Sequence, residues 1–136
     1  MLFGQYLQAE RALSFAGRAD GHQRLTYRVD MHRPLSLVWG ASGRAILAFL
    51  PDALAEQIIA AEGPSPAHGG APDAQHIWRE ILQIRAQGWA MSENEKLPDA
   101  RGIAAPVFGP HGVVDSICLT MPMLRSTQAS LERLGQ

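Results

Sequence analysis

Cys118 is the only thiol in the chain, and the histidines at positions 22, 32, 68, 76 and 111 are the bases that could activate it. A nucleophilic cysteine needs a deprotonating partner held beside it. No Cys/His signature surrounds Cys118, and most lone cysteines are buried and inert. A metal site needs ligands spaced to share one face, and neither His-x-x-x-His nor Cys-x-x-Cys occurs. His68 and His111 fall in turn segments and His76 in the first turn of a helix, where solvation is the plainer account. The residues predict no catalytic centre, no metal and no cofactor.

Binding chemistry has better candidates. Gly40, Ala41, Ser42 and Gly43 stand at the mouth of a helix, where unpaired N–H groups and a partial positive charge suit a carboxylate. Small side chains there would let a ligand approach the backbone, and Ser42 adds a hydroxyl. The plainer reading is that Ser42 caps the helix. In the last strand, side chains alternate by face. Asp115, Ile117, Leu119 and Met121 form a mostly apolar set, expected to be the core under the helices. Val114, Ser116, Cys118 and Thr120 form the opposite set, whose small polar groups suit a pocket floor. Gly102 and Ala104 alternate similarly on the neighbouring strand and would leave space above them. Ser92, at the end of a short strand, is a further candidate ligand residue. Trp39, just before the glycine-rich turn, would either wall the pocket or plug it. Trp89 is expected to pack in the core.

These residues need elements to position them. Residues 2–7, 11–17 and 24–29 read as strands of an antiparallel meander, with Asp20-Gly21 as a hairpin signal. Residues 44–50 form a short apolar helix ended by Pro51, and Asp52 caps a second with Leu54, Ala55, Ile58 and Ile59 on its apolar face. Residues 63–72 have no periodicity and read as a flexible surface loop. Asp73 caps a third helix carrying Ile77, Trp78, Ile81, Leu82 and Ile84, and Gly88 stops it. Residues 89–92, 102–108 and 113–121 are strands, the last two joined by Gly109-Pro110-His111-Gly112, and 126–134 is a short amphipathic helix. The order predicts an α+β fold with a mostly antiparallel sheet.

Bulk properties narrow the class. A chain of 136 residues with 46% hydrophobic and 18% charged residues suits one soluble domain over its full length. Twelve basic and thirteen acidic residues give a net charge of −1, and Lys96 is the only lysine. Nucleic-acid modules usually carry clustered Lys and Arg, so this chain alone is not expected to hold DNA. A single cysteine fits a reducing cytosol. No apolar run is long enough to span a membrane, and the first ten residues lack the basic start of a signal peptide. The expected location is cytoplasmic.

Three segments, in order, resemble the C-terminal domain of the IclR (isocitrate-lyase regulator) family. RPLSLVWGASGRAILAFLP, residues 33–51, is similar to the family's PLH-A-x-x-GKA-LLAFLP. IRAQGWAMSENE, residues 84–95, is similar to x-R-x-x-GYA-x-x-x-EE. RGIAAPVFGPHGVVDSICLTMP, residues 101–122, is similar to CIAAPVFD-x-x-G-x-VVAALSVSGP. Each piece is weak alone; together they cover residues 33–122 in the right order. The departures are Arg44 for the family's Lys, Glu93 and Glu95 split by Asn94, Gly102 for the frequent Cys, and Cys118-Leu119-Thr120-Met121-Pro122 for Ser-x-Ser-Gly-Pro.

The resemblance implies a GAF-like domain with a small-molecule pocket on one sheet face. It implies a small organic acid effector bound near Trp39, Ala41, Ser42, Gly43, Ser92, Gly102, Ser116, Cys118 and Thr120. It also implies a homo-oligomer, dimer or tetramer, in which DNA is reached only through an N-terminal winged helix-turn-helix. That element is not in this sequence, so the chain reads as a domain-sized piece trimmed at both ends. Two alternatives remain open: a GAF-like redox enzyme using Cys118, although such enzymes generally need a second cysteine, and an effector-free dimerisation module with Trp39 filling the site.

Overall fold

The computed structural model describes residues 1–18, 34–95 and 98–122. Among these residues, eight elements run β1 (Leu2–Leu7), β2 (Ala12–Arg18), α1 (Ala41–Leu47), α2 (Asp52–Ala61), α3 (Ala74–Gln87), β3 (Ala90–Glu93), β4 (Ala100–Gly109) and β5 (Gly112–Pro122). The strands form one five-stranded sheet in the order β2-β1-β5-β4-β3, antiparallel at every pairing. The α+β expectation holds. The strand expected at 24–29, the Asp20-Gly21 turn and the final helix at 126–134 lie outside the described residues.

The helix signals act largely as their chemistry requires. Asp73 caps α3, its Oδ1 accepting from the N–H groups of Gln75 at 3.1 Å and His76 at 3.3 Å. Gly88 ends that helix in the left-handed region at φ 89°. Two starts differ from expectation. Pro51 rather than Asp52 is the N-cap of α2, and Asp52 instead pairs with Arg85 at 2.6 Å, tying α2 to α3. Helix α1 starts three residues earlier than the apolar run suggests. Its N-cap is Gly40, at φ 99° and ψ 153°, with no side-chain cap; few residues other than glycine adopt that backbone. Ser42 lies inside the helix, so it is not the cap.

The core lies where α1 meets the sheet. All seven residues of α1 are buried, and it packs on β4, β5 and β3. Leu13, Leu37, Ile46, Leu47, Ile77 and Ile81 are almost fully buried, each worth roughly 1.5–3 kcal/mol relative to exposure. Ile77, Ile81 and Ile84 are the buried stripe of α3, while Leu82 is exposed.

The two faces of β5 are the reverse of the expectation. Ser116 and Cys118 are buried, whereas Ile117 and Leu119 are 37% and 48% exposed. The small set faces α1 because the helix comes too close for larger side chains. A register shift opposite Val107/Phe108 accompanies the inward turn of Val113 and the outward turn of Val114. Trp89 precedes the first paired residue of β3 and is 43% exposed, so it does not pack in the core. The loop at 63–72 is irregular but anchored. Ser65 is buried and donates to the carbonyl of Glu95 at 2.5 Å.

Candidate functional site

The seam between α1 and the sheet gathers five of the residues picked from sequence. The N–H of Ala41 donates to Ser92 Oγ at 2.9 Å. A Cβ added at Gly102 would stand 3.2 Å from Ser92 Oγ, 3.3 Å from Ala41 Cβ and 3.7 Å from Cys118 Sγ. Cys118 Sγ lies 3.9 Å from Thr120 Oγ1 and 3.6 Å from the carbonyl of Leu119. Ala41, Ser92, Gly102, Cys118 and Thr120 are therefore one contiguous group, as the strand alternation implied. They are packed together, however. Gly102 does not hold open volume for a ligand, because Ala41 occupies the space above it.

Gly43 is likewise taken by the chain itself. A Cβ there would come 2.4 Å from the carbonyl oxygen of Ser36 and 2.7 Å from Leu37 Cα, so the close approach it permits is to residues 36–37. Ser42 is buried within α1. Ser116 sits elsewhere, paired opposite Gly4 of β1, its hydroxyl buried with no partner among the described residues.

Beside the seam lies a cavity of about 460 Å³, within the range of small-molecule sites. Trp39 and Ser92 line it, and so do Arg44, His68, His76, Glu80 and Glu95. Trp39 forms a wall. Its Nε1 donates to the carbonyl of Gly63 at 2.9 Å, and its ring meets His68 edge to face at 5.6 Å between centroids.

Arg44 organises the acidic side. Its side chain is 2% exposed, and it pairs with Glu80 of α3 and with Glu95 of the β3–β4 loop. It also donates to the carbonyl of Val38 at 2.7 Å, while its Nε is buried with no partner among the described residues. His76 Nε2 lies 3.3 Å from Glu80, one helical turn away. Burial pushes the Glu95 carboxyl above its usual range and the charge of Glu80 adds to this, against the opposing pull of Arg44 and a bond from the Gly40 N–H. Glu93 also lines the cavity but pairs with the buried Arg101. Among the described residues, no group of three or more His, Cys, Asp or Glu could hold a metal ion.

In the sequence Arg44, Glu93 and Glu95 stand out only as departures from a family pattern and the two histidines read as solvated, so none of them is expected at the cavity. A signal was available: Arg44 interrupts a run of small and apolar residues, where a charge must find partners.

The chain belongs to the IclR family: residues 9–136 match the domain described as bacterial transcriptional regulator IclR, C-terminal. Among curated relatives it is 32% identical over 102 residues to a probable HTH-type transcriptional regulator, ArcR, of Halobacterium salinarum. That match takes in 71% of this chain and 37% of the relative. It is 31% identical over 94 residues to the HTH-type transcriptional regulator RhmR of Escherichia coli, covering 67% of this chain and 35% of that protein. The chain thus spans little more than a third of these relatives. Among solved structures, an IclR-type regulator from a Silicibacter species matches 98% of this chain and 53% of its own, with TM-score 0.86 and 23% identity. An IclR homologue from Microbacterium hydrocarbonoxydans, complexed with 4-hydroxybenzoate, matches 98% of this chain and 55% of its own, with TM-score 0.80 and 17% identity. At these identities the likeness shows the fold. Among the described residues, no helix is long and apolar enough to cross a membrane.

Proposed function

We propose that this domain senses a small organic acid for a longer cytoplasmic regulator, and that the acid changes how the longer protein holds DNA. The observation that carries the reading is the cavity of about 460 Å³ between Trp39, α3 and the end of β3. Its position couples it to the fold, because Arg44 joins α1, α3 and the β3–β4 loop across one edge of it. A ligand with different affinity for two arrangements of these elements would shift their populations. The 4-hydroxybenzoate complex of the M. hydrocarbonoxydans homologue supports an acid as the ligand class. Two of the residues picked from sequence, Trp39 and Ser92, line the cavity directly, and the seam behind Ser92 fixes its hydroxyl. In this reading the domain acts as a dimer or tetramer, and DNA is held by another part of the protein. A net charge of −1 gives this chain little affinity for phosphate.

The test is a melting-temperature panel of carboxylic acids, 4-hydroxybenzoate included, followed by operator gel shifts of the longer regulator with and without any acid that binds. A concentration-dependent rise in melting temperature and an altered shift are expected. If no acid raises the melting temperature and operator binding ignores all of them, the sensing reading falls.

A further inference from the structure

The side-chain donors that line the cavity are nearly all engaged within the protein. The Arg44 guanidinium is held by Glu80, Glu95 and the Val38 carbonyl. Trp39 Nε1 donates to the Gly63 carbonyl. His76 Nε2 faces Glu80 at 3.3 Å. Glu80 already accepts from Arg44, so Nε2 is the donor and a neutral His76 ring offers only an acceptor at Nδ1. Ser92 keeps a hydroxyl hydrogen, but the residue is only 8% exposed. His68 differs from all of these. Its Nδ1 accepts from the Gly70 N–H at 3.0 Å, so a neutral ring carries its proton on Nε2. Among the described residues that N–H meets no acceptor, and it belongs to an exposed residue of the lining.

The ring is also held in place. Residues 65–70 close on themselves: the Ser65 N–H donates to the Gly70 carbonyl at 3.0 Å, and the Gly69 N–H to the Ser65 carbonyl at 2.8 Å. Ser65 Oγ ties this turn to the Glu95 carbonyl. Trp39 meets the His68 ring edge to face. On another side the ring lies against Gly70, where an added Cβ would stand 2.8 Å from both Nδ1 and Cε1. A donor fixed before its ligand arrives gives up little freedom on binding. An imidazole that only met solvent would need no such mounting. A carboxylate is the strongest acceptor that an organic acid can offer to this N–H.

We infer that His68 is the residue that receives the effector's acid group, through its Nε2–H, and that Gly70 is a positioning residue for the imidazole. This rests on the sensing reading and adds to it the residue that makes the contact.

The test uses benzoate as the probe, titrated calorimetrically into the natural chain and its variants. His68→Phe keeps a ring against Trp39 but has no N–H, and should weaken benzoate about tenfold or more. Its melting temperature should stay within about 2 °C of the natural value, as for other surface changes. His68→Gln sets an amide N–H near the place of Nε2 and should recover most of the lost affinity. Gly70→Ala keeps the imidazole but pushes it off its seat, and should weaken benzoate severalfold. In the His68→Phe background the same change should leave affinity unaltered, because it acts only through the ring's donor. Nitrogen NMR gives a readout without any variant: His68 should be the Nε2–H tautomer, and its Nε2 resonance should move as benzoate is added. Equal affinity of His68→Phe and the natural chain overturns the assignment and leaves the sensing reading standing. So does the Nδ1–H tautomer, or a Gln variant no better than Phe. A steep fall in the melting temperature of His68→Phe marks a structural residue and overturns it as well. If benzoate binds none of the proteins, the assignment is overturned, while the sensing reading is decided separately by the wider acid panel.

Discussion

The seam under α1 and the cavity beside it are made from neighbouring residues and obey opposite rules. In the seam, Ala41, Gly102 and Cys118 are small so that a helix can lie almost on the sheet, and the Ala41 N–H already has Ser92. In the cavity, Arg44, Glu80, Glu95, His68 and Trp39 are large and polar or aromatic, and they leave a space of about 460 Å³ between them. Small residues on adjoining elements thus have two meanings that sequence does not separate: room for a ligand, or close packing. Here the closest approaches are to the chain's own atoms. What the seam contributes to the cavity is rigidity, since Ser92 belongs to both.

The largest effect expected from breaking this division is at Arg44. Replacing it with Met leaves Glu80, Glu95 and the Val38 carbonyl without their shared donor. Removing one partner of a buried ion pair typically costs 3–5 kcal/mol. Because Glu80 and Glu95 keep some exposure, about 3 kcal/mol is expected, a fall of roughly 10 °C in melting temperature for a domain of this size. A loss below about 1 kcal/mol would mean that the network is a surface feature and the cavity is not organised by it.

Next come two glycines that sharpen the comparison, Gly43 packed against residues 36–37 and Gly102 within the seam. Gly43→Ala drives a methyl group into the backbone of Ser36 and Leu37, at 2.4 and 2.7 Å. Backbone cannot rotate away, so a loss of about 1–3 kcal/mol is expected. Gly102→Ala meets Ser92 Oγ and Ala41 Cβ at 3.2 and 3.3 Å, contacts that a few tenths of an ångström relieve. It should cost less than about 1 kcal/mol. Denaturant melts of the two variants check the order. If Gly102→Ala proves neutral and Gly102→Leu is also tolerated, the seam is loose and could admit a ligand after all.

On the opposite face of the sheet, Leu119→Thr exchanges a half-exposed residue for another good strand former. Surface changes of this kind usually fall within about 0.5 kcal/mol. The same change at buried Cys118 would not be so benign, and comparing the two by melting temperature tests which face of β5 is the core.

Much of the fold was legible in the residues, and the reasons mark where legibility ended. Asp73 and Gly88 act through local chemistry, so their roles survived into the structure. Strand alternation separated Ser116 and Cys118 from Ile117 and Leu119 correctly, but period two cannot say which face the helices cover. Apolar character suggested the wrong face because it ignored how close α1 lies. The candidate cavity is legible only in part. Trp39 and Ser92 line the cavity, whereas Arg44, Glu80 and Glu95 come together from α1, α3 and a loop, a juxtaposition set by tertiary packing and invisible to spacing.

The last prediction concerns the acidic side of the cavity alone. Burial and the nearby charge of Glu80 hold the Glu95 carboxyl above the ordinary value of 4.5, despite Arg44. A carboxyl that binds its proton more readily folded than unfolded makes folding harder at high pH and easier as pH falls through its folded value. The fold therefore carries the cost of the Glu95 charge at neutrality and is relieved of it on acidification. A salt-bridged carboxylate with a depressed value would do the opposite. Glu95→Gln keeps an acceptor for Arg44 but cannot titrate. The stability of the natural chain relative to this variant should rise as pH is lowered from neutrality towards the ordinary carboxylate range. Paired denaturant melts across that window measure the difference directly. A difference that falls with acidification would show that Arg44 dominates Glu95.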